Sequence, residues 1–309
     1  MADIASAAPA LGAEPGRRVR RPVNRFRLVV YITLSIAAIA YVAPFVWMVA
    51  KSLQNSFEAN TTAFIPAQLQ FQNYLDVLFG STQIGVSRQF IIFLRNTIIL
   101  EILAVTGQTV ICVMAAYAFA RMKFPGRDVL FGMLLLTIFV PSIILLVPNL
   151  IIVTRISQAF ESIHPSLRWM NNWPALVIPF LSNTFSIFLL RQFFKQIPDE
   201  LWEAARIDGA GHMRFLLQVV VPISRAPIMT TILFSFVAVW SALEWPILVT
   251  SDESWRPIAV ALQQFRQDGG VLTHLLMAAS VIALLPIMIL YLFTQRLFTQ
   301  GFLQSGIKG

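Results

Sequence analysis

Charge is what this sequence has least of. Asp, Glu, Lys and Arg make up 12% of its 309 residues, against about 25% in soluble globular domains. With 57% of the chain hydrophobic, a soluble fold of this size would have too few charges to cover its surface. Cysteine occurs once, at Cys112 inside an apolar run, which excludes an intrachain disulfide and leaves inert packing as its expected role. The three histidines, His164, His212 and His274, are far apart, and neither Cys-x-x-Cys nor His-Glu-x-x-His spacing occurs. No metal site is expected. A Gly-Lys dipeptide is also missing, which excludes a P-loop. Clustered histidines, a Ser–His pair or paired carboxylates, the usual marks of an enzyme site, are absent too. No repeat of 20–50 residues speaks for a solenoid or propeller.

What is present is long apolar runs. Leu28 to Ala50 is 23 residues without a charge, too long for a cleavable signal core, and Lys51-Ser-Leu-Gln-Asn is a poor cleavage site. It reads as an uncleaved first span. Five more runs near the 20 residues that cross a bilayer follow at about 97–120, 129–154, 173–193, 226–250 and 271–295. Barrel-type alternation is absent, so helices are expected. Prolines at 44, 141, 148, 179, 246 and 286 fall within these runs and read as kinks.

Sixteen of the 23 Lys and Arg residues fall on one side when the N-terminus is placed inside. The positive-inside rule then puts both termini in the cytoplasm with six spans. The expected organisation is a basic tail at 1–27, a first transmembrane helix at 28–50 and an external loop at 51–92. A five-helix core at 93–300 follows, carrying a cytoplasmic loop at 194–225, and then a cytoplasmic C-terminus at 301–309. Further polar external segments are expected at 155–172 and 251–270.

The loop at 194–225 is the most informative stretch. Pro198 suits a first helical position, and Asp199, Glu200 and Glu203 crowd the positive end of a helix dipole. Leu201, Ala204 and Ala205 are spaced to share a face. Gly209 offers the positive φ that ends a helix. A second amphipathic piece from Met213 to Val221 is expected to stop at Pro222. Together these predict a helix–turn–helix at the inner membrane surface.

Glu203-Ala204-Ala205, then Gly209, then Val219-x-Val221-Pro222 resembles the EAA loop of binding-protein-dependent ABC importer permeases. Phe64–Tyr74, Ala116–Gly126, Phe188–Phe194 and Trp240 with Trp245-Pro246 resemble, in order, segments of the carbohydrate-uptake branch of that family. The resemblance covers roughly residues 28–305. Ser241, where that branch commonly has Asn, and a longer segment at 155–172 depart from it. The resemblance implies an all-α membrane fold of the type I importer kind, with Glu203, Ala204, Ala205, Asp208, Gly209 and Pro222 in the contact with a separate ATPase. It also implies a second permease subunit, two ATP-binding subunits carrying ATP and Mg, an extracytoplasmic solute-binding protein, and no cofactor on this chain.

Polar groups inside membranes mark functional candidates. Glu101, placed near the outer end of the second span, is expected to face water. Trp240 and Glu244, four apart in the fifth span, are expected on one helical face where a ring and a carboxylate address a sugar, with Trp245 turned toward headgroups or the partner subunit. Asn183, beside Ser182, is a further candidate, against the plainer reading of interhelical links. The rival class is a secondary transporter driven by an ion gradient. Such proteins place ionisable groups at mid-membrane, whereas both glutamates read as off-centre.

Overall fold

The computed structural model describes residues 25–80, 90–267 and 270–305; most of the basic tail, residues 81–89, which include Arg88, and the last four residues lie outside the described residues. The chain divides into two compact units, Met1–Trp47 and Met48–Gly309. The first contains most of α1 (Arg25–Ser52), a helix with Pro44 inside it. Its apolar side chains are exposed on all sides, Tyr41 at 79% and Ile39 at 69%. A helix apolar all round suits lipid as its solvent.

The second unit begins with a folded knot where an external loop was expected. Helices α2 (Ser56–Ala59) and α3 (Gln72–Phe79) lie within it. Lys51, only 1% exposed, donates from Nζ to the carbonyls of Thr61 and Ala63 at 2.8 Å each. Asn73 donates to the carbonyls of Ser52 and Gln54, both at 2.8 Å. A buried ammonium needs such acceptors to offset its lost hydration.

Helix α4 (Phe90–Arg121) is 32 residues long and contains no proline. The run expected at 129–154 is instead two pieces, α5 (Arg127–Leu136) and α6 (Ser142–Glu161). Pro141 explains the break: its ring clashes with the carbonyl four residues back, and it forces Val140 into an extended conformation (φ −86°, ψ 116°). Helix α6 also runs seven residues into the segment expected as loop at 155–172. The fourth span is bent by 44° between α7 (Trp173–Val177), continued by a short 3-10 turn to Phe180, and α8 (Thr184–Lys195).

The loop expected at 194–225 holds α9 (Asp199–Ile207), α10 (His212–Phe215), a π-wound turn at Leu216–Val220 and α11 (Val221–Ile223). The second piece was expected to stop at Pro222; it continues through it. A π turn already departs from the i to i−4 bonding that a proline spoils. The break comes at Ser224, where the chain bends by 84° into α12 (Arg225–Trp240). Pro227 sits in the first turn of α12, where its missing N–H is no loss. The fifth span then breaks again, because the Pro246 ring excludes a helical turn over Ala242. It resumes as α13 (Glu244–Val249).

The segment at 251–270 is folded rather than a free polar loop. Helix α14 (Ile258–Ala261) and its flanks bury Ile258, Ala261 and Phe265. A two-residue antiparallel strand pair, Arg266–Gln267 with Gly270–Val271, turns the chain into α15 (Thr273–Ser305), which carries Pro286. Helix α15 therefore occupies the first part of the segment expected at 301–309. Among the described residues, four helices are long and apolar enough to cross a membrane, giving up to six spans if each bent pair counts as one.

Helix α4 is the common element of the packing. Phe90 and Phe93 join a cluster with Trp240, Ile258 and Leu275. Leu100 and Ala104 join one with Leu176, Trp245 and Val249. Cys112, Val113, Ala116 and Tyr117 join a third with Leu190, Phe194 and Phe215. At Gly107 a Cβ would lie 2.5 Å from Leu181 Cδ2, so the bare backbone is what lets the bent fourth span approach.

Candidate coupling loop and transport path

Pro198 is the residue before α9 and not its first turn; its backbone is extended (φ −55°, ψ 142°), and Asp199 opens the helix. The C-terminus is a paired cap. Gly209 has φ 74°, its N–H donates to the Arg206 carbonyl at 3.0 Å, and the Ala210 N–H donates to the Ala205 carbonyl at 2.8 Å. That is the Schellman arrangement, which satisfies carbonyls left over at a helix end. Asp208 is the exposed residue between helix and glycine.

The face expected to unite Leu201, Ala204 and Ala205 is divided. Trp202 and Ala205 pack against the cluster under the loop, whereas Leu201, Glu203, Ala204 and Ile207 are exposed, Ile207 at 87%. Glu203 has no hydrogen bond or ion pair among the described residues. Pro222 lies in α11, the short helical piece that follows the π-wound turn.

Contacts that no motif announced hold the loop down. Arg121, at the end of α4, donates to Asp199 Oδ1 at 2.6 Å, to the Ile197 carbonyl at 2.7 Å and to the Pro198 carbonyl at 3.2 Å. Tyr117, one turn earlier, bonds from its hydroxyl to His212 Nδ1 at 2.8 Å. The His212 ring stacks on Trp202 at 4.5 Å. In the sequence, His212 read as a histidine without companions; only the fold supplies them. Below the loop, Arg191 sits 3.8 Å over the Phe131 ring and reaches Asp128 at 3.5 Å. Arg127 beside it holds the Asp128 carboxyl below its ordinary range. A cleft of about 280 Å³ beside α9 is lined by Arg121, Lys123, Arg127, Lys195, Asp199 and Trp202. Basic residues therefore gather at the same end as the loop.

The transport-path candidates fall at helix breaks. Asn183 is exposed, caps α8 by accepting from the Ser186 N–H at 2.9 Å, and its carbonyl lies 3.7 Å from Cys112 Sγ. Cys112 itself is buried and free, as its apolar setting led one to expect. Glu244 is exposed at the first residue of α13. Trp240 does not share its face. The helix ends at Trp240, which is 5% exposed, stacks on Phe236 and donates from Nε1 to the Ala283 carbonyl at 3.0 Å. Trp245 is equally buried and donates to the Ala175 carbonyl at 2.8 Å, so it meets the core and not headgroups. Two contacts tie the breaks together: Phe180 packs edge-on to Trp245 at 5.4 Å, and Thr137 Oγ1 meets Thr184 Oγ1 at 3.0 Å.

Glu101 is not at a wet helix end. It is 5% exposed, on the fourth turn of α4, and neither carboxyl oxygen has a hydrogen-bond partner among the described residues. Its place in an apolar run was legible; its isolation from partners was not.

The family described as "Binding-protein-dependent transport system inner membrane component" matches residues 108–304, which contain the whole loop and both bent spans. The chain belongs to this family. The permease is 30% identical over 280 residues to the sn-glycerol-3-phosphate transport system permease protein UgpE of Yersinia pestis bv. Antiqua (strain Antiqua), covering 89% of this chain and 95% of that one. To the protein of the same name from Brucella abortus (strain 2308) it is 25% identical over 290 residues, covering 93% and 98%. Among solved structures it superposes on a bacterial ABC transporter involved in the import of the acidic polysaccharide alginate. The TM-score there is 0.74 at 21% identity, over 92% of this chain and 99% of that chain. A bacterial alginate ABC transporter in complex with an alginate pentasaccharide-bound periplasmic protein matches at a TM-score of 0.58 and 17% identity. The permease is thus a multi-pass inner-membrane transport subunit with the importer permease fold. The ion-gradient alternative finds no support in this membership.

Proposed function

We propose that the permease is one transmembrane subunit of an ATP-driven importer that takes up a sugar or sugar-like, hydroxylated solute. Both ends of the chain face the cytoplasm, and the basic cluster around Arg121, Lys123 and Lys195 lies at the inner surface, in keeping with the positive-inside rule. The observation that carries the reading is the exposed face of α9. Ile207, 87% exposed, stands one turn from Glu203, which has no partner among the described residues, and Leu201 is 40% exposed, on a helix that packs through Trp202 and Ala205 and is capped at Gly209. An ordered helix with an unfilled apolar face fits a groove on a partner. The partner is a separate ATPase, which carries ATP and Mg; Glu203 meets a basic group on it, and Ala204 allows close approach. Closure of two such ATPases moves two coupling helices and switches access from one side to the other, a rigid-body transition between two states.

The solute class is supported by relatives named for glycerol-3-phosphate and alginate transport. A binding protein outside the membrane delivers the solute, and a second permease subunit completes the path. Within this chain the path runs past the breaks at 181–183 and 241–243, where Asn183 and Glu244 offer polar side chains beside unwound backbone. Trp240 is withdrawn from that role by its packing. The test is uptake of sn-glycerol-3-phosphate and of a neutral disaccharide by the assembled complex. Uptake blocked by vanadate and indifferent to an uncoupler supports the reading; the opposite pattern refutes it. Glu244→Gln should lower uptake per complex while assembly persists. Normal uptake in Glu244→Leu would remove this side chain from the path.

A further inference from the structure

Helix α4 is gripped at both ends by groups that belong to different faces of the fold. At one end Arg121 and Tyr117, four residues apart and so on one side of the helix, hold the start of α9 through Asp199 and the first residue of α10 through His212. At the other end Asn96 donates from Nδ2 to the carbonyls of Ser254 and Arg256 at 2.6 and 3.1 Å, and Thr97 Oγ1 accepts from the Ile258 N–H at 2.7 Å. Asn96 and Thr97 are 1% and 0% exposed, so these bonds are shielded from competing water.

Between the grips the helix is stiff. Of the six candidate spans, α4 alone has neither an internal proline nor a break among the described residues. At 1.5 Å per residue it is about 48 Å long, enough to cross the whole bilayer with its headgroups. It also contributes to all three apolar clusters, so a displacement of α4 is felt by each.

We propose that α4 is a transmission rod: Tyr117 and Arg121 receive the movement of the coupling helix, and Asn96 and Thr97 deliver it to the 254–258 segment on the opposite side. Tyr117, Arg121, Asn96 and Thr97 are positioning residues, acting through the elements they hold. The inference rests on α9 being the ATPase contact, and the test separates the two.

The importer, assembled with its partner subunits in liposomes, is labelled with an environment-sensitive maleimide at Ser254→Cys or, separately, at Ile207→Cys; native Cys112 is buried. Mg-ATP with vanadate is added. Both labels should respond in the otherwise unaltered chain. In Tyr117→Phe with Arg121→Gln, and in Asn96→Ala with Thr97→Val, the response at 254 should fall at least fivefold while that at 207 remains. Arg121→Lys keeps the Asp199 pair but loses the fork to the carbonyls, and should be intermediate. A merely structural role would lower the amount of complex without uncoupling the two labels. If either double variant does not assemble, the single-oxygen deletions Tyr117→Phe and Thr97→Val are read in the same way. A full response at 254 in the variants overturns the rod. A silent label at 207 in the unaltered chain overturns the coupling role of α9, and the rod with it.

Discussion

Gly209 gives the sharpest test of the coupling loop because its environment isolates one physical term. The residue has φ 74°, yet a Cβ built there would meet nothing within 4 Å. Substitution therefore brings no clash, only the cost of holding an L-residue in the left-handed region, about 1–2 kcal/mol. A β-branched side chain resists that region most. If the chain relaxes instead, it gives up the Gly209 and Ala210 hydrogen bonds, at roughly 0.5–1.5 kcal/mol each. Gly209→Ala should then disfavour the capped loop by about 1–2 kcal/mol and Gly209→Val by at least that. Asn tolerates the left-handed region and should cost least.

Each 1.4 kcal/mol is about tenfold in a population, and apparent affinity falls with the fraction of binding-competent loop. The ties from Trp202 and His212 keep part of the loop ordered, so the loss of affinity is smaller than the full local cost. The assay is retention of the ATPase on affinity-purified permease, with uptake per inserted copy measured alongside. The expected order is Gly, Asn, Ala, Val, with a loss on the order of tenfold for Val. Equal retention in Gly209→Val, or an Asn variant weaker than Ala, would refute the argument that backbone geometry is the operative term.

Glu101→Leu should raise the temperature at which the detergent-solubilised complex aggregates, since an unpartnered buried polar group costs about 1–3 kcal/mol; uptake should fall, and unchanged uptake would show that the side chain has no role in transport. Gly107→Val should reduce the amount of folded protein, because its side chain meets Leu181 where even a Cβ lies at 2.5 Å, and overpacking costs about 1–3 kcal/mol; Gly107→Ala should be tolerated if Leu181 rotates. Single cysteines at the exposed positions Gln68 and Ser254 should react with an impermeant maleimide from outside the cell, and one at Asp208 should not; the reverse pattern would invert the orientation.

Class and membrane character were legible in the sequence because apolar length and charge scarcity are properties of composition. The start and stop of α9 were legible because Asp199 and Gly209 act through local dipole and backbone effects. The spans were legible as six runs but not as bent objects. Pro141 breaks its span completely, whereas Pro44, Pro148 and Pro286 stay inside continuous helices. A proline motif alone does not say whether neighbours re-satisfy the freed carbonyl. The pairing of Trp240 with Glu244 failed for the same reason: helical spacing was assumed across residues 241–243, where Pro246 forbids the turn. The polar residues that organise the fold, Lys51, Asn96, Thr97, Arg121 and His212, carry no local signature, since their partners lie 10 to 161 residues away.

The division between broken and unbroken spans follows from what the bilayer permits. Backbone polar groups outside helical bonding are tolerated at membrane depth only where protein or water satisfies them. The break at 137–141 is crossed by the Thr137–Thr184 bond, and the breaks near 181–183 and 241–243 are brought together by Phe180 and Trp245. Yet Asn183, Ser241 and Glu244 remain exposed within this chain. Lipid cannot satisfy that unwound backbone, so within a membrane it must face water or another protein surface, which is also what the proposed path for a hydroxylated solute requires. On the proposal made above, such a surface is opened and closed by an element that moves as a rigid body. Among the described spans, α4 is the one built without a hinge.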